Sequence, residues 1–165
     1  MASQTNDGYR MDGYPDPEVG NGRGMVAHGL SGTISVPSVF RFIGMPGQIE
    51  NPFAEKYSRD RHVECAMRLE NARMQWQTSA SSSAVTALPE SATRDQPGEA
   101  LAKEILELMH LLSITVGIRS LGYDESDIDE LSKGTLQQHR VTKLSPRQPA
   151  ELENLRGMFR DALDI

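Results

Sequence analysis

Apolar residues recur along this chain at three- and four-residue spacings, and no useful length of it alternates between apolar and polar positions. That pattern predicts helices and no sheet. The strongest signal runs from about Gly98 to Val116, where Leu101, Ile105, Leu108 and Leu112 form a stripe that Leu106, Leu111 and Ile114 broaden; it predicts the central core helix. Glu99 and Lys103 stand at the spacing that supports exposed first turns. A second helix is predicted from an Asp60 cap to about Gln77, with Cys65, Leu69, Ala72 and Trp76 on one face, and that face is expected to be buried. The last, about Pro149 to Leu163, lines up Leu152, Leu155, Phe159 and Leu163 behind a proline suited to a first turn.

The remaining elements are shorter. Val26 to Phe42 predicts two helical pieces meeting near Pro37, whose missing backbone donor breaks a helix. Asp124 is a cap for a helix carrying Ile128 and Leu131, and Gly134 offers its C-terminal stop. Gly44 to Tyr57, with Pro46, Gly47 and Pro52, predicts a loop. Residues 79–96, with a triple serine and Pro89, predict an exposed linker or insertion. Residues 1–24, rich in Gly, Asp and Pro, predict a flexible lead-in. The expected architecture is therefore all-α: one bundle-like helical domain over 25–165 behind an irregular start.

Size and charge narrow the function classes. At 165 residues the chain suits one domain with a real core, and its 38% hydrophobic content and mean hydropathy of −0.47 are lean in core formers. The apolar run Ile105 to Ile118 is interrupted by Glu107, His110 and Ser113, short of the roughly 20 residues that cross a bilayer. Net charge is −6, and the 17 basic residues are scattered, which argues against a nucleic-acid footprint. A single cysteine, Cys65, forms no internal disulfide and agrees with a reducing compartment. Met1 to Gly8 has neither an apolar core nor an Arg-rich amphipathic pattern, so it reads as no export or import signal.

Few residues invite chemistry. Gly20, Gly22 and Gly24 lack the preceding strand and following helix of a phosphate-binding glycine loop. His62 and Cys65 stand one helical turn apart, a spacing open to two zinc ligands, but no second pair completes a tetrahedral site, and a helix face is the better reading. His110 reads as a core or boundary histidine. His28 stands between the glycine-rich lead-in and a helical run, with Gly29 allowing close backbone approach. A metal site needs several convergent ligands, and none lies near it in sequence.

Two runs carry a likeness. His28 to Phe42, HGLSGTISVPSVFRF, and Gly134 to Pro146, GTLQQHRVTKLSP, resemble the C-terminal helical domain of iron-containing alcohol dehydrogenases; the second run resembles the hydroxyacid-oxoacid transhydrogenase branch in particular. Arg61-His62 is similar to an Arg-His pair that opens a helix in this family, with no ligand role implied. About thirty residues match closely. The stretch before His28 departs from the family's Asp-His-Pro pattern, and 44–57 looks inserted.

The resemblance implies a function for the parent enzyme. Hydride passes from a hydroxyacid such as 4-hydroxybutyrate to a bound nicotinamide (NAD) and then to an oxoacid such as 2-oxoglutarate, with a divalent metal, iron or zinc, polarising the substrate oxygen. His28 would be one ligand of four; the aspartate, the other two histidines and the nucleotide-binding glycines have no match here. Arg140 and Lys143 would be anchors for substrate carboxylates, or else a helix cap or a contact to a neighbouring domain. The implied compartment is the mitochondrion, with its import signal on residues outside this chain. Without the other ligands the chain alone is expected to hold no metal or nicotinamide and to be inactive. Its expected partner is an N-terminal nucleotide-binding domain or a full-length paralogue. The rival expectation is a non-catalytic helical interaction module, which would have covered its apolar surface with polar residues.

Overall fold

The computed structural model describes residues 10–15, 24–26, 28–80, 90–114, 116–138, 142–148, 151–163 and 165. Helices make up nearly all of the regular structure, as the spacing predicts: α1 (His28–Thr33), α2 (Val36–Ile43), α3 (Pro52–Ala80), α4 (Glu90–Asp95), α5 (Pro97–Leu111), α6 (Ile128–Leu136) and α7 (Leu152–Leu163). Short 3-10 turns occupy Ile118–Leu121 and Glu125–Asp127. One element was not expected. A two-stranded antiparallel ribbon joins β1 (Arg10–Pro15) to β2 (Gly24–Val26), with Arg10 opposite Val26 and Pro15 opposite Gly24. A ribbon paired through its backbone needs no alternating apolar face, so hydrophobic spacing could not reveal it. The rest of the lead-in, and residues 81–89 of the predicted linker, lie outside the described residues.

The chain divides into two compact units. One comprises Met1–Ser38, Thr115–Leu144 and Pro149–Ile165; the other comprises Val39–Ile114 and Ser145–Gln148. The second unit is built on α3 and α5. Its α3 starts earlier than the sequence suggested, because Pro52 at the first helical position fits a fixed helical φ and the Asn51 side chain caps it, accepting from Phe53 N at 2.9 Å and Ala54 N at 3.3 Å. Asp60, expected as the cap, lies inside the helix and pairs with Lys56 at 2.5 Å.

Large apolar residues do not mark the buried side of α3. The predicted stripe turns outward: Cys65 and Ala72 are exposed, Trp76 is 59% exposed and Leu69 is half-buried. The covered positions are Ser58, His62, Val63, Ala66 and Glu70, mostly small or polar. The reason is close approach. Ala66 meets Ala100 and Leu101 of α5 in a small core that Phe40, Leu69 and Ile105 border. At the start of α5 the contact tightens to backbone: a Cβ added to Gly44 would lie 2.5 Å from Gly98 Cα and 2.8 Å from His62 Cδ2. One ion pair crosses the same helices. Arg73 donates Nε and Nη2 to the Glu104 carboxylate at 2.9 and 3.0 Å, with the Glu104 side chain fully buried.

The α5 stripe also differs from expectation. Leu101 is buried, but Leu108 and Leu112 are 39% and 59% exposed. The helix closes at Leu111, short of Val116, in a C-terminal turn where Ser113 N bonds His110 O and Ile114 N bonds Met109 O, with Ser113 at φ 53°. The Glu99 carboxylate takes Arg41 Nε at 2.7 Å instead of the expected Lys103, tying α2 to α5. The predicted 79–96 linker is partly helical, since α3 runs to Ala80 and α4 buries Thr93.

In the first unit, α1 and α2 break at Ile34 and Ser35, and Pro37 sits in the first turn of α2, where its missing N–H is harmless. Asp124 caps as predicted. Its carboxylate accepts Ser126 N at 2.7 Å, while Asp127 Oδ2 accepts Asp124 N at 2.9 Å, a reciprocal box leading into α6. Gly134 is no stop, because α6 passes through it to Leu136. The last helix buries Leu155 and Leu163, with Leu152 and Phe159 half-buried, close to its predicted stripe. Gly117, at φ 76°, lets the backbone meet Leu163 O, where a Cβ would come within 2.8 Å. Among the described residues no helix is long and apolar enough to cross a membrane.

Two variants test this packing. Gly44→Ala should lower stability by about 1–3 kcal/mol, since backbone and not a flexible side chain must yield; urea denaturation of the full chain reads it. Asp129 gives a pH test: hydrogen bonds from Lys133 and then Arg156 depress its carboxyl from 3.8 to about 2. A depressed folded-state pKa stabilises above the ordinary value and that contribution is lost as pH falls. Thermal melts between about pH 4 and pH 2 should therefore drop more steeply for the native chain than for Asp129→Asn.

Candidate functional site

The structure treats the three candidate residues differently. His28 is the first residue of α1, a six-residue helix whose Thr33 Oγ1 donates to Gly29 O at 2.7 Å; its side chain is not among those described. Arg140 lies outside the described residues. Lys143 is exposed, one residue after Thr142, which is buried and whose N donates to Gln138 O at 3.2 Å. His28 and Lys143 belong to the same compact unit. Among the described residues no three His, Cys, Asp or Glu side chains are grouped to hold a metal ion.

The residue after the second matching run is anchored. Arg147 stacks over the Phe42 ring at 3.7 Å and donates Nη1 to Phe42 O at 2.6 Å. Burial pushes its guanidinium below its ordinary value, although an arginine stays charged throughout the working range.

His62 is better defined than sequence allowed. It is buried, its ring meets Phe40 edge-on at 5.5 Å, and its Nδ1 stands 2.7 Å from Ser58 O. A carbonyl only accepts, so Nδ1 is the donor of this bond. Nε2 and Ser58 Oγ are buried without a hydrogen-bond partner. Beside them Phe40, Cys65, Leu69, Leu101 and Ile105 line an apolar groove of about 430 Å³, with Arg61 and Arg68 on its rim. Both guanidiniums reach Glu64, at 2.7 and 2.6 Å. The signal in the sequence was the Cys65, Leu69, Trp76 stripe. Its periodicity was real, but periodicity does not say whether this chain covers the face.

Comparison with known proteins agrees with the two matching runs. The chain is 34% identical over 165 residues, its whole length, to the probable mitochondrial hydroxyacid-oxoacid transhydrogenase of Dictyostelium discoideum. It is 31% identical over 141 residues, 86% of the chain, to the mitochondrial hydroxyacid-oxoacid transhydrogenase of Bos taurus, and 30% identical over 141 residues to that of Homo sapiens. The chain is a homologue of the hydroxyacid-oxoacid transhydrogenases. In each case the alignment covers 24% of the relative, so the chain spans about a quarter of the length of these relatives. No protein-family model and no solved structure matches.

The buried ion pair of this transhydrogenase homologue can be tested directly. Glu104→Ala would leave the Arg73 guanidinium, 10% exposed, without its carboxylate. Removing one partner of a buried pair costs about 3–5 kcal/mol, so the variant should unfold at distinctly lower denaturant.

Proposed function

We propose that this chain is the C-terminal, metal-site-contributing part of a hydroxyacid-oxoacid transhydrogenase-like oxidoreductase, incomplete when alone. The observation that carries the reading is the alignment of the whole chain, at 34% identity, to about a quarter of a transhydrogenase. The chain carries the His28-Gly29 pair and the GTLQQHRVTKLSP run, the two stretches that resemble the family.

In the complete enzyme the His28 imidazole would supply one ligand to a divalent metal, iron or zinc. That metal, when bound, would polarise the oxygen of the hydroxyacid or oxoacid, and NAD would be held by the remainder of the enzyme. Arg140 and Lys143 would receive substrate carboxylates, arginine through a two-pronged hydrogen bond and lysine as a point charge. The fit to the metal is partial, since one histidine does not make a site of useful affinity; no reaction step is assigned to this chain by itself. A mitochondrial location follows from the relatives' names.

The rival is a non-catalytic helical interaction module that pairs with a full-length paralogue or a separate N-terminal half and has covered its apolar surface with polar residues; Leu108 and Leu112 remain exposed, which favours the first reading.

Metal analysis tests the reading. The chain alone should purify without stoichiometric iron or zinc, and mixing it with a separately expressed N-terminal domain of a transhydrogenase should give bound metal that His28→Ala abolishes. Metal on the chain alone, or a mixture indifferent to His28→Ala, would overturn it.

A further inference from the structure

We propose that the outward face of α3 is a self-association surface, on which two copies of this chain pair antiparallel about a two-fold axis and Trp76 of each enters the Cys65 groove of the other. The inference is independent of the metal reading.

Three observations converge on a second copy. The first is that projection and groove share one helix face. Trp76, 59% exposed, projects eleven residues after Cys65, about 16 Å further along the helix. A two-fold axis midway between them, between Glu70 and Asn71, sets each Trp76 opposite the other copy's Cys65 and each Leu69 opposite the other's Ala72. A two-fold contact must be self-complementary in this way. The second is shape: near the axis stands Ala72, small enough for close helix approach, and the groove of about 430 Å³ has apolar walls of Phe40, Leu69, Leu101 and Ile105 that can receive an indole.

The third is charge. The groove end of α3 carries two guanidiniums, Arg61 and Arg68, against the single Glu64 carboxylate, and so keeps a positive excess. The end that would face it carries Gln75, Trp76 and Gln77, and its nearest cation, Arg73, is engaged by Glu104. Pairing sets Arg68 level with the other copy's Arg73, a cation already neutralised by its buried Glu104, and it offers each guanidinium rim the electron-rich face of an indole. Arg61 already takes this kind of contact, lying 5.5 Å from the Tyr57 ring centre. Buried tryptophan and arginine are the residues on which protein contacts most depend.

Trp76 is the sole tryptophan, so its fluorescence reports this contact alone. Sedimentation velocity of the full chain over a concentration series should show a monomer–dimer equilibrium, with Trp76 emission shifting to the blue as dimer forms. Leu69→Asp should leave a monomer with red-shifted emission at every concentration, and Trp76→Ala should weaken association at least tenfold. Trp76 lies off the buried side of α3 and Leu69 borders the core, so circular dichroism would verify that both variants keep native helicity. A native chain that stays monomeric, a dimer whose Trp76 emission does not move, or a dimer indifferent to both substitutions would overturn the proposal. Metal content is read separately, so failure here leaves the transhydrogenase reading standing, and the reverse.

Discussion

The second unit depends on one steric constraint: the backbone at Gly44 touches the backbone at Gly98, with no room for a methyl group between them. Once the end of α2 and the first turn of α5 are that close, much else is decided. His62 is fitted beneath them, edge-on to Phe40. Arg41 is brought within reach of Glu99. Further along, α3 and α5 meet through alanines, and the layer is thin enough that Arg73 can span it to Glu104. Small residues let helices approach, and close approach gives dispersion contacts that larger side chains would hold apart.

This explains which parts of the fold the sequence disclosed. Helix identity was legible because it is a local property: Asp124 caps where its carboxylate reaches backbone N–H groups two and three residues on, and Leu155 and Leu163 fall on the inner side of α7 at helical spacing. Burial on α3 was not legible. An apolar stripe at 65, 69, 72 and 76 is a statement about those residues, whereas the covered stripe at 58, 62, 66 and 70 is set by what α5 presents, which is alanine, glycine and a buried carboxylate. Boundaries failed for a related reason. Asn51 before Pro52 is as good a helix start as Asp60, and the prolines at 46 and 52 drew attention to a loop instead.

The candidate chemistry was legible only through likeness. Nothing in the spacing of His28 marks it as a ligand, because partners for a metal converge from distant segments and leave no local trace. The run from Gly134 to Pro146 is a different kind of signal: it is long, and its first residues continue α6 straight through a glycine that local rules would have used to end the helix.

The Arg73–Glu104 pair and the Gly44–Gly98 contact fix α3 against α5 at two separated points along their length. Two such pins determine the axial offset between the helices, so the polypeptide joining them has no part in setting it. A change at either pin would therefore be felt along the whole α3–α5 contact, because close-packed interiors transmit strain instead of absorbing it locally.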